Sequence, residues 1–339
     1  MRVFVVGATG YIGRQVVREL VGREHAVVAL ARPRSGVGGA SDAEATRRTL
    51  AGAEVRFGDV TDLRSVRADG FRGERFDAVV SCLATRTGGV EDAWRIEHEA
   101  NRHALRAGQE AGIERFVLLS AICVQKPRLA FQHAKLAFEQ ELQASGLTWS
   151  IVRPTAFFKS LAGQVESVRR GRRFVMFGDG RVPRSKPIGE ADLARFVAEC
   201  LEDPSKANRI LPIGGPGPVI TPRMQGELLS EALGRPPRFL RVPLWVFDGI
   251  IGALALMGRV STALADKAEF ARIGRYYASE SMLVWDPDRG AYDADATPSF
   301  GEETLADFYR RVAAEGMAGQ ELGDHSLFAR RPRPTTPRA

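Results

Sequence analysis

Over the first 155 residues, short apolar runs alternate with stretches whose apolar residues recur every three or four positions. The runs at 3–6, 26–30, 54–57, 78–82, 115–120 and 148–152 predict six strands. Helical spacing at 12–21, 94–112 and 126–145 predicts helices between them; the last carries Leu129, Leu136 and Leu142 and stops at Gly146. Strands that are apolar on both sides and separated by helices make a parallel sheet covered on both faces. The fold class is therefore α/β, a doubly wound parallel sheet of the Rossmann kind.

After Pro154 the pattern loosens into PTAFFKSL, RRFVMFGDGRVPRSKP and LPIGGPGPVITP, rich in Gly, Pro and aromatics, with helices expected at 191–201, 222–233, 244–257 and 304–315. The expected division is a dinucleotide-binding domain at 1–155, a smaller C-terminal substrate lobe at 156–328 whose late elements return to the core, and a disordered Arg/Pro-rich tail at 329–339. The run LWVFDGIIGALALM at 244–257 is too short to span a bilayer and contains Asp248. It reads first as a buried or substrate-lining helix and second as a peripheral membrane contact.

Charge changes the picture little. The chain of 339 residues has a net charge of +7, but the tail holds four arginines and no acid. The remaining body is too nearly neutral to argue for nucleic acid. Cys82, Cys123 and Cys200 lie far apart, which supports neither a disulfide framework nor an iron–sulfur site and suits a reducing compartment. The chain opens directly on a strand pattern, so the expectation is a bacterial cytoplasmic protein, or an organellar one already trimmed.

Candidate chemistry begins with Gly7-Ala8-Thr9-Gly10-Tyr11-Ile12-Gly13, between the first strand and the first helix. The first glycine permits the turn, the second lets backbone N–H groups approach a pyrophosphate, and the third lets helix pack closely on strand. NAD sites usually place an acid after the second strand; here the run is Ala29-Leu30-Ala31-Arg32-Pro33-Arg34. A guanidinium grips a 2′-phosphate, so NADPH is the expected cofactor, held first by Arg32 and second by Arg34. Asp59 and Val60 follow the third strand, where adenine is expected, and Cys82 and Leu83 follow the fourth, under the adenosine and ribose.

Ser120 ends the fifth strand and Lys135 lies on the next helix. The spacing resembles short-chain dehydrogenases, in which such a Ser works with a Tyr-x-x-x-Lys pair. Phe131 occupies the tyrosine position, and a phenyl ring has no ionisable proton. Ordinary ketone reduction is therefore closed to this triad, whereas hydride addition to a conjugated carbon–carbon double bond is open. Lys135 then holds the ribose or delivers a proton; a plainer reading leaves it on the helix surface, paired to Glu139. His133 faces elsewhere. Pro154 and Thr155 are candidate nicotinamide contacts, and Phe157, Phe158, Phe174, Met176 and Phe177 form either core or one wall of a flat pocket.

Longer runs go further. LLSAICVQKP at 118–127, FQHAKLAFE at 131–139, SIVRPTAFFKSLAGQVESV at 150–168, VMFGDG at 175–180, KPIGEADLA at 186–194, YYASESMLVWD at 276–286 and GAYDADATPSFGEETLADFY at 290–309 resemble the NADPH-dependent divinyl chlorophyllide or protochlorophyllide 8-vinyl reductases, atypical short-chain dehydrogenases. In that family a Phe at the tyrosine position is usual. The resemblance implies reduction of the C8 vinyl group of divinyl (proto)chlorophyllide to ethyl in (bacterio)chlorophyll synthesis, in the cytoplasm or at the edge of a photosynthetic membrane. It implies a tetrapyrrole substrate carrying its own metal, so no protein metal ligand is expected. Phe131, Phe157, Phe158, Lys159 and Tyr276 are the substrate candidates, with Lys159, Arg173 or Lys186 for the propionate. Lys135, Tyr276, Tyr277 and water all stay open as proton donor. Two rivals remain: an isoflavone-reductase-like enzyme of another conjugated substrate, and an NADP(H)-sensing regulator without catalysis. Nothing in the sequence speaks to oligomeric state.

Overall fold

The computed structural model describes residues 1–34, 42–85, 88–257 and 261–316. The expected tail at 329–339 lies outside the described residues.

Strands β1 (Arg2–Val6), β2 (Ala26–Ala31), β3 (Glu54–Phe57), β4 (Ala78–Ser81), β5 (Arg115–Leu119) and β6 (Thr148–Pro154) form where the apolar runs require. With β8 (Arg209–Ile213) they make one seven-stranded sheet in the order β3-β2-β1-β4-β5-β6-β8. Every pairing is parallel, for example Val5 opposite Ala29 on one side and Val80 on the other. Helix α1 (Gly13–Gly22) covers one face, burying Val16, Val17 and Leu20 against Val3, Val5 and Val80. Helices α2 (Asn101–Glu110) and α3 (Ala130–Gln143) cover the other, where Phe4, Phe116 and Phe138 are fully buried. Strand order reverses between β1 and β4, the point at which open sheets of this kind open a crevice at the strand C-termini.

A second core lies beyond this sheet. Strand β7 (Phe174–Phe177) pairs with β9 (Phe239–Val242), and helices α5 (Pro222–Ala232) and α8 (Leu305–Glu315) pack over Phe174, Phe158, Leu229, Phe308 and Tyr309. Helix α4 (Glu190–Glu199) packs back on α1, burying Leu193 and Val197 in the core shared with the large sheet.

Three departures from the sequence reading have plain causes. The helix expected at 126–145 begins only at Ala130, because Pro127 disfavours helical geometry at Lys126. Its start is fixed instead by Gln132, whose side-chain oxygen accepts from the N–H groups of Arg128 (2.7 Å) and Leu129 (3.0 Å). Helix α6 (Trp245–Met257) has no buried residue, so of the buried or substrate-lining helix the sequence suggested first, the buried form does not hold. It forms a hairpin with α7 (Thr262–Ser279), an element the sequence reading did not contain, tied by an ion pair of Asp248 with Arg275. Among the described residues, no helix is long and apolar enough to cross a membrane.

Candidate active site

The residues expected to hold a dinucleotide come from six different loops, and the parallel sheet brings all six loops to one edge. Gly7 follows β1, Arg32 follows β2, Asp59 follows β3, Cys82 follows β4, Ser120 follows β5 and Thr155 follows β6. Parallel strands all end on the same side, so loops distant in sequence become neighbours in space.

The glycine turn is as tight as a dinucleotide site needs. Gly7 has φ +74°, and a side chain there would meet the Cys82 carbonyl at 2.5 Å. A Cβ on Gly13 would lie 2.1 Å from the Gly7 carbonyl oxygen, so only glycine lets α1 pack this closely on β1. Gly10 donates its N–H to that same oxygen at 3.0 Å and is exposed; Thr9 is half-buried. Ile12 caps α1 with no side-chain hydrogen bond; the Arg14 and Gln15 N–H groups are bonded to the carbonyls of Gly10 (3.1 Å) and Ile12 (2.9 Å), which leaves the N–H groups of Ile12 and Gly13 for an anion. The cradle therefore fits a pyrophosphate.

Arg32 and Arg34 are exposed and, among the described residues, make no ion pair. The charge of Arg32 reaches Asp59. Partial burial raises the Asp59 carboxyl, but hydrogen bonds from the Thr61 N–H (2.9 Å) and hydroxyl (2.7 Å), helped by Arg32 and Arg95, hold it below its usual value. Val60 is half-buried, and its carbonyl lies 3.2 Å from His103 Nδ1. Leu83 and Cys82 are buried, and burial pushes the Cys82 thiol up to about 12.

Lys135 is not the solvent-facing residue of the plainer reading, and its partner is not Glu139. Its Nζ lies 2.7 Å from Oε2 of Glu97, with side-chain exposures of 9% and 2%. The other oxygen of Glu97 accepts from the Thr85 N–H at 2.9 Å, so the pair joins α3 to the loop after β4. Glu97 sits in a wide-turned helical segment, Trp94–Ala100, that leads into α2. Nothing local singles it out among the acids of that stretch.

Glu139 instead pairs with Arg153 and accepts the Ser120 hydroxyl, all three being buried or nearly so. Ser120 therefore links β5 to α3 and, through Glu139 and Arg153, to β6. Phe131 is buried with Ile122, Cys123, Met282 and Tyr276. Tyr276 donates towards the carbonyls of Cys123 (3.1 Å) and Lys126 (3.2 Å), and burial pushes it up to about 12. That hydroxyl is committed to backbone carbonyls.

Phe158 has no exposed surface and packs on Phe308, with ring centroids 5.2 Å apart. It belongs to the core of the second lobe and cannot be a pocket wall. Phe174 and Met176 are buried in the same core. Phe157 is half-buried at the edge of the large-sheet core. Lys159 lies 4.7 Å over the Tyr11 ring, and Tyr11 donates its hydroxyl to Glu190. Burial first, and then the Glu190 charge, push Tyr11 above its usual value. Pro154 and Thr155 are buried; Thr155 donates its N–H to Ile213 at 2.9 Å and its hydroxyl to the Lys186 carbonyl. Lys186 Nζ donates to the Thr297 carbonyl at 2.8 Å. Arg173 borders a separate cavity of about 450 Å³ with Arg172 and Arg238.

Comparison with known proteins agrees with this geometry. Residues 7–204 match a family described as NAD(P)H-binding. A protein of Oryza sativa subsp. indica, named as a chloroplastic divinyl chlorophyllide a 8-vinyl-reductase, is 56% identical over 331 residues, covering 96% of this chain and 82% of that protein. A protein of the same name from Arabidopsis thaliana is 53% identical over 334 residues, covering 96% and 79%. The crystal structure of an NADPH-dependent quinone oxidoreductase from Escherichia coli, complexed with NADPH, has the same fold, with a TM-score of 0.66 and 17% identity over 91% of this chain and 99% of that one.

Proposed function

The chain belongs to the NAD(P)H-binding divinyl chlorophyllide a 8-vinyl-reductases, and from that premise we propose that it reduces the C8 vinyl group of divinyl chlorophyllide or protochlorophyllide to ethyl at the edge of the sheet where the six loops meet. NADPH supplies the hydride. The observation that carries the reading is the substitution at the heart of the site: a buried Lys135–Glu97 pair is kept while Phe131 stands where a ketone reductase needs a phenol. Such a site can place a nicotinamide but lacks, on α3, the phenol that carbonyl reduction uses there. A vinyl group conjugated to a macrocycle needs less help, because the ring spreads the developing charge.

The roles assigned to the chain's own residues follow from position. The turn from Gly7 to Gly13, including Thr9, Gly10, Tyr11 and Ile12, receives the pyrophosphate at the start of α1. Arg32 takes the 2′-phosphate, with Arg34 behind it. Asp59 and Val60 border the adenine, and Cys82 and Leu83 the adenosine. Pro154 and Thr155 close on the nicotinamide, and Lys135, held by Glu97, binds its ribose. Lys159 is the anchor for the propionate, and Phe157 offers the macrocycle an apolar edge.

The protein acts at a membrane surface. Helix α6 supports this, since it exposes Trp245 (69%) and Leu256 (64%), and Arg238 and Arg241 lie just before it in the chain, exposed. Apolar side chains flanked by arginines suit an anionic lipid surface.

The reading is tested by incubating the full chain with NADPH and divinyl chlorophyllide, then with phenolic substrates of isoflavone-reductase type. Blue-shifted monovinyl absorption with the first substrate alone is expected. Turnover only with the phenolic substrates, or none by a folded and NADPH-binding sample, contradicts it.

A further inference from the structure

Adding hydride to a vinyl group leaves a carbanion that must be protonated, and α3 offers no phenol because Phe131 fills that position. The fold brings two other phenols to the same place from α7. They face different ways. Tyr276 is buried and its hydroxyl is held by the Cys123 and Lys126 carbonyls. Tyr277 stands perpendicular to it, with ring centroids 5.8 Å apart at 88°, and is 42% exposed.

The Tyr277 hydroxyl lies 3.8 Å from Sγ of Cys123, in the turn just after Ser120. A thiol is a weak acceptor, so this hydroxyl is not fixed by a strong hydrogen bond as that of Tyr276 is. The charge of Lys135 reaches the same Cys123 thiol, and the charge of Glu97 reaches the Tyr277 hydroxyl. The phenol therefore stands where the end of β5, the Lys135–Glu97 pair and the Phe131 cluster converge.

Resting on the vinyl-reductase reading above, we propose that Tyr277 is the catalytic acid of the reaction, delivered by the C-terminal hairpin in place of the phenol missing from α3. The vinyl C=C bond accepts the hydride supplied by NADPH at one carbon and a proton from Tyr277 at the other. NADPH is oxidised to NADP⁺, the vinyl group is reduced to ethyl, and the Tyr277 O–H bond breaks as the second C–H bond forms. Water returns the proton to the tyrosinate. Burial of its hydroxyl end first, and then the adjacent Cys123, raise the pKa of Tyr277 well above its usual value, which keeps the hydroxyl protonated throughout the neutral range. A carbanion is basic enough to take a proton from such a phenol.

The test compares Tyr277→Phe with Tyr276→Phe in the full chain, measuring kcat on divinyl chlorophyllide, the solvent deuterium isotope effect, NADPH affinity and Tm. Tyr277→Phe is expected to lose about 10²–10⁴-fold in kcat with NADPH affinity and Tm unchanged. Tyr276→Phe is expected to lower Tm and to keep kcat within a few-fold at a temperature where it is folded. Wild-type turnover that Tyr277→Phe retains within a few-fold overturns this proposal alone; absence of wild-type turnover overturns the vinyl-reductase reading and this proposal with it. If Tyr277→Phe does not fold, 3-fluorotyrosine at position 277 must shift the alkaline limb of kcat to lower pH, and an unmoved limb overturns the proposal.

Discussion

Lys135 and Glu97 form a buried ion pair at 2.7 Å, and one end of that pair is tied to the loop after β4 through the Thr85 N–H. Neither helix nor sheet geometry alone would hold a lysine ammonium in this position, because burial disfavours an unpaired charge. Removing one partner leaves the other charged and unsolvated, typically at about 3–5 kcal/mol.

That gives the first prediction. Lys135→Ala and Glu97→Gln each lower Tm, whereas a double Lys135→Met, Glu97→Gln variant regains most of the stability and none of the activity. Thermal unfolding and a turnover assay on the same samples separate the two effects. A double variant with near-normal turnover would show the pair to be structural only.

Arg32→Ala raises KM for NADPH by about 10-fold or more, since a charge-assisted hydrogen bond contributes about 1.5–3 kcal/mol. KM for NADH is expected to change little, because Arg32 meets the 2′-phosphate that NADH lacks. Equal losses with both cofactors would remove Arg32 from the phosphate site.

Gly13→Ala places a methyl group 2.1 Å from the Gly7 carbonyl oxygen, which α1 can relieve only by lifting away from β1. The expected outcome is loss of saturable NADPH binding by fluorescence titration in a chain that keeps its far-ultraviolet circular dichroism. Wild-type affinity would contradict the assignment of the turn.

Phe158→Ala empties a fully buried site beside Phe308 and costs about 3–5 kcal/mol. Chemical denaturation reads this directly. At low temperature, where the variant is folded, its KM for the tetrapyrrole should stay at the wild-type value; a raised KM would return Phe158 to the pocket.

Much of this was written in the chain. Strands buried on both faces leave unbroken apolar runs, so β1, β2 and β4 were legible, and the glycine turn was legible because two of its three glycines are required by backbone contacts within seven consecutive residues. The partner of Lys135 was not. Glu97 lies far from it in sequence, beside Glu91, Asp92 and Glu99, and nothing local marks the one acid that folding turns inward. The delayed start of α3 was readable from Pro127, and the sequence reading underweighted it. Helix α7 escaped notice because its apolar positions are diluted with charged residues, such as Lys267, Arg272 and Arg275, on a hairpin that packs mainly on α6. Phe157 and Phe158 are adjacent, and only the β7 and α8 packing decides which of them is enclosed.

The most direct measurement uses NADPH carrying deuterium on the transferred face of C4, with divinyl chlorophyllide as acceptor, and mass spectrometry of the product. A monovinyl product bearing one deuterium in its new ethyl group is the expected result, with one NADP⁺ formed for each vinyl group reduced. Unlabelled product, or NADPH that stays unoxidised in the presence of folded protein and substrate, would contradict the function assigned to this site.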